Sequence, residues 1–173
     1  FMGLTGRTIS NGNNQGGIWM TRNAISNVAV TPTWYHIGNV NNGEIPTCMS
    51  VSSDGDVLFV GTNQGRVYRY SNISNARDSA SADIDDFYTG TTVTRQSTSV
   101  ITRSTMNVPS TGRSVTEINF DPRDKDRLIV TLGNYGNTQY VYYTSNATAT
   151  IPNFKAVAGN LPKFPVYTGI FNA

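Results

Sequence analysis

An internal repeat constrains the fold of this chain more than any other feature of its sequence. Two stretches each carry four short runs in the same order: a first strand-like run, a mostly apolar run, an alternating run after an Asn/Gly-rich turn, and a polar run. The runs are Thr47–Ser52, Val57–Thr62, Arg66–Tyr70 and Ser99–Ser104 in the first copy, and Val115–Phe120, Leu128–Gly133, Tyr140–Tyr143 and Phe154–Gly159 in the second.

Four short antiparallel strands repeated at about 50 residues are typical of β-propeller blades. The second run is apolar on both faces, as expected for a strand packed between two neighbouring blades. A parallel β-helix would show shorter and more uniform repeats, and a β-sandwich would not repeat in register. The sequence therefore predicts an all-β fold, a partial β-propeller with about two complete four-stranded antiparallel blades and a partial blade at each end.

The repeat also sets the predicted boundaries. The runs Gly17–Thr21 and Thr33–Ile37 resemble the last two strands of an earlier unit, and Val166–Phe171 resembles the first strand of a later one. The chain is accordingly divided into an irregular N-terminal segment 1–16, the end of a preceding blade 17–40, a blade 41–105 with an inserted loop 74–96, a blade 106–161, and the first strand of a following blade 162–173. We expect the whole to be a fragment of a larger propeller domain.

Composition excludes several classes of function. Charged residues make up only 14% of the chain, and 13 Lys+Arg against 11 Asp+Glu leave a net charge of +2. This balance gives no reason to expect a nucleic acid partner, and no stretch has the ~20 apolar residues of a membrane helix. A single cysteine, Cys48, excludes an internal disulfide framework and is predicted to be a buried, inert thiol.

Two hairpins resemble the Asp-box motif, in which a strand ending in Ser/Thr-x-Asp-x-Gly turns back to a Thr-Trp. The first copy is Gly17–Asn23 leading to Thr33–Gly38, and the second is Tyr142–Ala147 leading to Asn153–Ala156. In the second copy Asn146 replaces the Asp. The linker 159–162, Gly-Asn-Leu-Pro, is also typical of this group. The chain resembles the Asp-box (BNR-repeat), sortilin-like β-propellers of the bacterial secreted type.

This resemblance implies a fold more than an activity, because the family includes sialidases, xyloglucanases, sortilin-type receptors and surface proteins. Both hairpins have lost the Asp and Gly of the motif, which favours a purely structural role. We expect a non-catalytic secreted or cell-surface module that binds protein or glycan through loops on one face. Other blades of the same chain or partner chains are expected to cover its edges. Two alternatives stay open: a fragment of a xyloglucanase-like glycoside hydrolase, and a subunit of an outer-membrane secretion or motility complex.

The enzymes of this family depend on particular sets of catalytic residues. A sialidase needs a cluster of arginines, but the Arg-Ile-Pro-like start motif is absent and Ile45-Pro46 follows Glu44. The remaining candidates lie in scattered contexts: Arg66, Arg69, Arg95, Arg103 and Arg113. A xyloglucanase needs two facing carboxylates, for which Glu44 and Glu117 are candidates without a motif. Glu117 is expected to face the centre of the propeller as a hydrogen-bonded charge. The prediction is that the chain has no catalytic residues.

Metal and cofactor chemistry is equally weakly supported. Asp83, Asp85 and Asp86 form one acidic group that offers oxygen ligands for Ca²⁺, but the sequence lacks an EF-hand pattern and solvated loop charges are favoured. His36 is the one histidine and is expected to pack on a strand. We therefore predict no metal and no cofactor.

Three positions match patterns for glycosylation. Asp78-Ser79-Ala80 resembles an O-glycosylation acceptor of Bacteroidota, which implies a glycan on Ser79. Asn72 and Asn146 each begin an Asn-x-Ser/Thr pattern, which matters only in a eukaryotic source. Secretion and these patterns together predict an extracellular or cell-surface location, associated with the outer membrane.

Overall fold

The computed structural model describes residues 1–8, 14–24, 31–41, 43–84, 98–110 and 112–172. This part of the chain is all-β, with one 3-10 turn at Ile73–Asn75 and one short helix, α1, at Ser79–Ala82. The strands are β1 Met2–Thr8, β2 Asn14–Thr21, β3 Trp34–Asn39, β4 Pro46–Val51, β5 Val57–Thr62, β6 Val67–Ser71, β7 Thr102–Met106, β8 Val115–Asp121, β9 Asp124–Leu132, β10 Val141–Thr144 and β11 Lys155–Ala156. Within the described ranges no helix is long and apolar enough to cross a membrane.

The strands form three antiparallel sheets in which sequence neighbours are also spatial neighbours. The first sheet has the order β1-β2-β3, the second β4-β5-β6-β7 and the third β8-β9-β10-β11. None of these sheets closes on itself across the residues described. The prediction of an all-β chain with two four-stranded antiparallel units is confirmed, and each predicted run of the two repeats overlaps the corresponding strand.

The second sheet is buried on both faces because it lies between the other two. Every residue of β5 is buried, and its alternate side chains enter two different cores. Leu58 and Val60 belong to a core shared with the first sheet, whereas Val57 and Phe59 belong to a core shared with the third. Phe59 meets Phe120 edge-to-face, with ring centroids 5.5 Å apart. This arrangement explains why the β5 sequence lacks polar alternation.

The first strands of the second and third sheets lie side by side. The Thr47 hydroxyl of β4 donates to the Val115 carbonyl of β8 at 2.6 Å. Gly61 of β5 is required by the same contact, because a Cβ at this position would lie only 2.5 Å from Val115 Cγ1. The two sheets are therefore joined closely at the end where their first strands meet.

The N-terminal prediction is wrong in part. Residues 1–16 were expected to be irregular, but Met2–Thr8 forms β1 and β2 already begins at Asn14. Pairing with β2 supplies the hydrogen bonds that make a strand of a segment with two glycines, so tertiary context outweighs local propensity.

The C-terminal prediction also needs correction. Val166–Phe171 was expected to be a strand, but no strand is formed over these residues. The segment is held instead by side chains of β8: Glu117 accepts the Gly169 N–H at 2.8 Å, and Asn119 Nδ2 donates to the Gly169 carbonyl at 2.8 Å. The Val166 N–H also donates to the Leu132 carbonyl of β9 at 3.1 Å, but this single backbone bond does not make a strand ladder.

Candidate interaction surface

The face of the third sheet that points away from the second sheet is only partly covered in the described structure; we call it the outer face. The strand register places Ile129, Tyr143 and Lys155 in one row across β9, β10 and β11. Their neighbours Leu128 and Tyr142 point into the core shared with the second sheet. Ile129 and Tyr143 are half-buried and Lys155 is exposed, so this row is accessible.

Arg127 organises one end of the outer face. Its Nη1 lies 2.8 Å from Asp121 Oδ2, and its Nε donates to the Tyr143 hydroxyl at 3.3 Å. The guanidinium lies 5.3 Å from the ring centroid of Phe171, within cation–π range. The N–H of Arg123 and the adjacent guanidinium groups hold the pKa of Asp121 below its usual value. Arg127 thereby fixes Tyr143 and Phe171 as neighbouring aromatic groups.

A shallow cavity of about 240 Å³ opens beside Tyr143. Its lining is mixed polar and apolar and comes from residues at the end of β10 and around the start of β11. The lining residues are Tyr143, Thr144, Ser145, Asn146, Asn153 and Lys155. An aromatic ring, two amides and an ammonium group around one open cavity can bind a polar chain segment through hydrogen bonds.

The wall of this cavity is a turn centred on Asn146. The Thr144 hydroxyl donates to Asn146 Oδ1 at 2.7 Å, and the Asn153 N–H donates to the same oxygen at 2.9 Å. The asparagine thus connects the end of β10 to the residues just before β11. Asn146 is one of the predicted glycosylation positions, and it lies half-buried in this turn.

The turn between β2 and β3 has the same construction. The Thr21 hydroxyl donates to Asn23 Oδ1 at 2.9 Å, and the Thr33 N–H donates to it at 3.0 Å. The two hairpins that resemble Asp-box copies therefore share one hydrogen-bonding geometry. In both turns, the asparagine oxygen accepts a hydrogen bond from a backbone N–H just before the returning strand.

A third asparagine, which donates a hydrogen bond rather than accepting one, was missed as a turn residue in the sequence analysis. Asn72, another predicted glycosylation position, follows β6 in a left-handed conformation with φ of 65°. Its Nδ2 donates to the Val100 carbonyl at 3.2 Å, two residues before β7. Alignment of the segments 21–24, 70–73 and 144–147 on their Asn residues is the sequence signal that could have revealed it.

The Ser and Thr of the two Asn-x-Ser/Thr patterns have matching structural partners. Ser74 donates its N–H and hydroxyl to Asp56 Oδ1, and Thr148 donates the same two groups to Asp126 Oδ1. The hydrogen bonds with Thr148 hold the pKa of Asp126 below its usual value. The two patterns therefore mark one repeated structural turn.

Two arginines join adjacent sheets by donating to backbone carbonyls. Arg22, after β2, donates to the carbonyls of Ile73 and Ala76 beside the second sheet, at 2.5 and 2.9 Å. Arg69 of β6 donates to the carbonyls of Ala147 and Ala149 in the third sheet's turn, at 3.0 and 2.5 Å. Burial lowers the pKa of Arg69. These guanidinium groups are committed to structure.

The other arginines considered for a sialidase site also have separate partners. Arg66 Nε lies 3.0 Å from Glu44 Oε1, Arg103 donates to the Asn39 carbonyl, and Arg113 donates to the Pro109 carbonyl at 2.8 Å. Arg95 lies outside the described residues. In these contacts Arg66, Arg103 and Arg113 each have a different partner.

The two candidate catalytic glutamates are bonded to different elements. Glu44 is buried, and its Oε2 accepts the hydroxyl of Tyr68 at 2.8 Å. Burial, followed by this hydrogen bond, raises the pKa of Tyr68. Glu117 is half-buried and accepts the Gly169 N–H, in line with the expected hydrogen-bonded charge.

His36 packs on β3 as predicted, and it has a buried acidic partner. Its Nδ1 lies 3.0 Å from Asp83 Oδ1, its Nε2 lies 3.1 Å from Asn39 Oδ1, and its ring meets Trp19 edge-on at 5.2 Å. The expectation of a solvated loop charge is wrong for Asp83, which belongs to this buried pair. Asp85 and Asp86 lie outside the described residues. Within the described ranges, no three His, Cys, Asp or Glu side chains come together to hold a metal ion.

The two remaining predicted positions have opposite environments. Ser79 is the first residue of α1 and is exposed, following Asp78, whose carboxylate caps the helix through the Ser81 N–H. Cys48 is partly buried at the joint between the second and third sheets, and burial raises the pKa of its thiol to about 11. Exposure leaves Ser79 accessible, and the raised pKa makes Cys48 a poor nucleophile.

Comparisons with known proteins add no assignment. No protein-family model, no curated protein and no solved structure matches this chain.

Proposed function

We propose that this chain is a non-catalytic β-propeller module of the Asp-box, sortilin-like kind, secreted or displayed on a cell surface, and that it binds protein through the outer face of the third sheet. Three antiparallel sheets that pack face to face, with repeated turns and arginine contacts between them, support a propeller. Glycan remains the second ligand class within the same proposal, since the cavity beside Tyr143 lies on this face.

The contrast between equivalent sheet faces carries the proposal. The second sheet's face toward the third is closed, with Phe59 0% exposed. The corresponding face of the third sheet leaves Ile129 and Tyr143 half-open, and the adjacent segment exposes Tyr167 at 69% and Ile170 at 79%. Aromatic and aliphatic groups rimmed by cationic side chains are typical of surfaces that bind another protein.

The disposition of the charged residues supports a non-catalytic role. A glycosidase needs two carboxylates about 5–10 Å apart across an accessible cleft. Glu44 is 2% exposed and bonded to Arg66 and Tyr68, while Glu117 holds the C-terminal segment. Both carboxylates are therefore already engaged in structural contacts within the described fold.

The absence of catalysis is tested by hydrolysis assays on xyloglucan and on a fluorogenic sialoside. We expect no product above the rate of a heat-denatured sample. Turnover that disappears in Glu117→Gln or Glu44→Gln, with the fold intact by circular dichroism, would contradict the proposal.

Binding is tested on a glycan array and by chemical cross-linking of the purified chain with extracellular proteins from its source. We expect ligand capture to fall about tenfold or more in Tyr143→Ala, since anchors of this type dominate binding energy. The matched control is Tyr135→Ala, whose side chain is 75% exposed in the turn before β10. Equal capture by both variants would place binding elsewhere and overturn the assignment of the outer face.

A further inference from the structure

One arginine at the contact between the second and third sheets is buried together with its charge. Arg69 of β6 is 8% exposed, and the strand ladders place it between Phe59 of β5 and Ser104 of β7. Because residues directly opposite each other share a sheet face, Arg69 lies with Phe59 on the face that packs against the third sheet. A guanidinium has several N–H donors and a permanent positive charge, and its burial is costly unless partners compensate both.

Only one side of this guanidinium is bonded to the protein. Nη1 donates to the carbonyls of Ala147 and Ala149 at 3.0 and 2.5 Å. Nε is shielded from solvent, and among the described residues no atom accepts its hydrogen bond. Nε and Nη2 together form the side of an arginine that can bind an anion through two parallel hydrogen bonds; we call it the Nε side of Arg69. This side therefore carries a buried donor for which the described fold supplies no acceptor.

Arg22 shows that a contact between sheets does not require this arrangement. It joins the first sheet to the second, as Arg69 joins the second to the third. Its Nε donates to the Ala76 carbonyl at 2.9 Å, and its Nη2 donates to the Ile73 carbonyl at 2.5 Å. The same side of the guanidinium is thus occupied by backbone oxygens in Arg22, whereas in Arg69 the carbonyls bind Nη1.

The charge of Arg69 is not balanced by a carboxylate within the described part of the chain. Burial lowers the pKa of Arg69, and no acidic side chain contributes to its environment. Asp126, the carboxylate of the turn that Arg69 reaches, is directed to Thr148, whose N–H and hydroxyl both donate to its Oδ1. A negative ion at the Nε side would supply both the acceptor and the balancing charge.

We propose that Nε and Nη2 of Arg69 bind a small inorganic anion, such as chloride, between the second and third sheets. The ligand must be small because Nε itself has no contact with solvent, which excludes a side chain of another protein. The half-buried Ser104 stands on the same face and offers its hydroxyl as a further donor. The anion neutralises Arg69 and thereby stabilises the turn after β10, to which Nη1 is bonded. A water molecule would accept the N–H groups but leave the charge unbalanced.

Thermal unfolding at increasing chloride concentration tests the proposal. Sodium chloride replaces sodium gluconate at constant ionic strength, since gluconate is too large for the site. We expect the midpoint to rise by roughly 3–6 °C for each tenfold increase in chloride above the dissociation constant, because the ion binds only the native state. The rise should vanish in Arg69→Met and persist in Arg22→Met, the matched control, whose Nε side is bonded to carbonyls. Equal midpoints in the two salts would overturn the inference.

A second measurement locates the ion and uses the unaltered chain, so it decides the question even if Arg69→Met does not fold. Crystals are soaked in sodium bromide and measured at the bromine absorption edge; we expect an anomalous peak beside Nε and Nη2 of Arg69. A water molecule in that place without anomalous signal, or a chloride effect of the same size in Arg69→Met, would contradict the proposal. The outer face is the opposite face of the third sheet, so the proposed function is tested separately.

Discussion

At the scale of single residues, the polar side chains of this fold act mainly on backbone groups. Asparagine oxygens accept the N–H groups that precede returning strands, and aspartates accept from turns, as Asp126 does from Thr148. Arginine side chains instead donate to backbone carbonyls, as Arg69 does to the next sheet. Buried backbone groups need such partners where no ladder provides them. The abundance of Asn, Ser and Thr is accounted for by this use.

Cys48 gives a prediction about reactivity. Burial raises the pKa of its thiol from 9.0 to about 11, so the thiolate fraction at pH 8 falls about 100-fold. We expect iodoacetamide to modify the native chain about 100-fold more slowly than the unfolded chain, with the rate rising about tenfold per pH unit. Equal rates in the native and guanidinium-unfolded chain would contradict the assigned environment.

The same shift has a consequence for stability. Because the folded pKa lies above the unfolded one, the native state retains the proton longer as the pH rises. The corresponding stabilisation is present below pH 9 and is lost as the pH rises toward about 11. Cys48→Ala is expected to lack this part of the alkaline loss.

At the scale of elements, the turns and the contacts between neighbouring sheets repeat along the chain, as the strands do. The order of strands within each four-stranded sheet could be predicted, because apolar runs and turn residues alternate regularly along both repeats. Strand β1 could not be predicted from the sequence, because Met2–Thr8 becomes a strand only through pairing with β2. The loss of the strand at Val166–Phe171 was equally hidden, since it depends on side chains of β8 far away in sequence.

The candidate surface was less accessible to prediction than the fold. Arg127 lies just before the predicted run Leu128–Gly133, yet β9 already begins at Asp124 and places Arg127 beside Tyr143. The cluster of Arg127, Tyr143 and Phe171 brings together residues from three parts of the chain, and no local sequence pattern predicts it. His36 was correctly expected to pack on a strand, but its pairing with Asp83 could be seen only in three dimensions.

The asparagine turn gives a prediction at this scale. Asn146→Ala removes the oxygen that accepts from Thr144 and Asn153, and should lower the free energy of unfolding by about 1–2 kcal/mol in urea denaturation. Asn146→Asp keeps an acceptor oxygen and restores the residue of the Asp-box motif. It should change stability by less than about 0.5 kcal/mol. Equal losses in both variants would show that the oxygen is not what the turn requires.

The contact between the second and third sheets gives a further prediction about stability. Arg69→Met removes the donor to the carbonyls of Ala147 and Ala149 and should cost about 2–3 kcal/mol, because hydrogen bonds to charged groups are among the stronger ones. Arg77→Met, at an exposed position, is the control and should stay within about 0.5 kcal/mol. If thermal unfolding gives the same stability for both variants, Arg69 does not join the sheets.

At the scale of the whole molecule, the three sheets form a series in which each joint resembles the one before. The second sheet is closed on both faces, and the third carries the same kind of face without a sheet upon it. That open face is the surface through which we propose the chain binds a protein partner.

A crystal structure of the chain tests this account most directly. We predict that the sheets pack around a common axis and that β4 and β8 lie nearest to it, with Tyr143 accessible on the outer face of the third sheet. Sheets stacked in an open row without a common axis would contradict it.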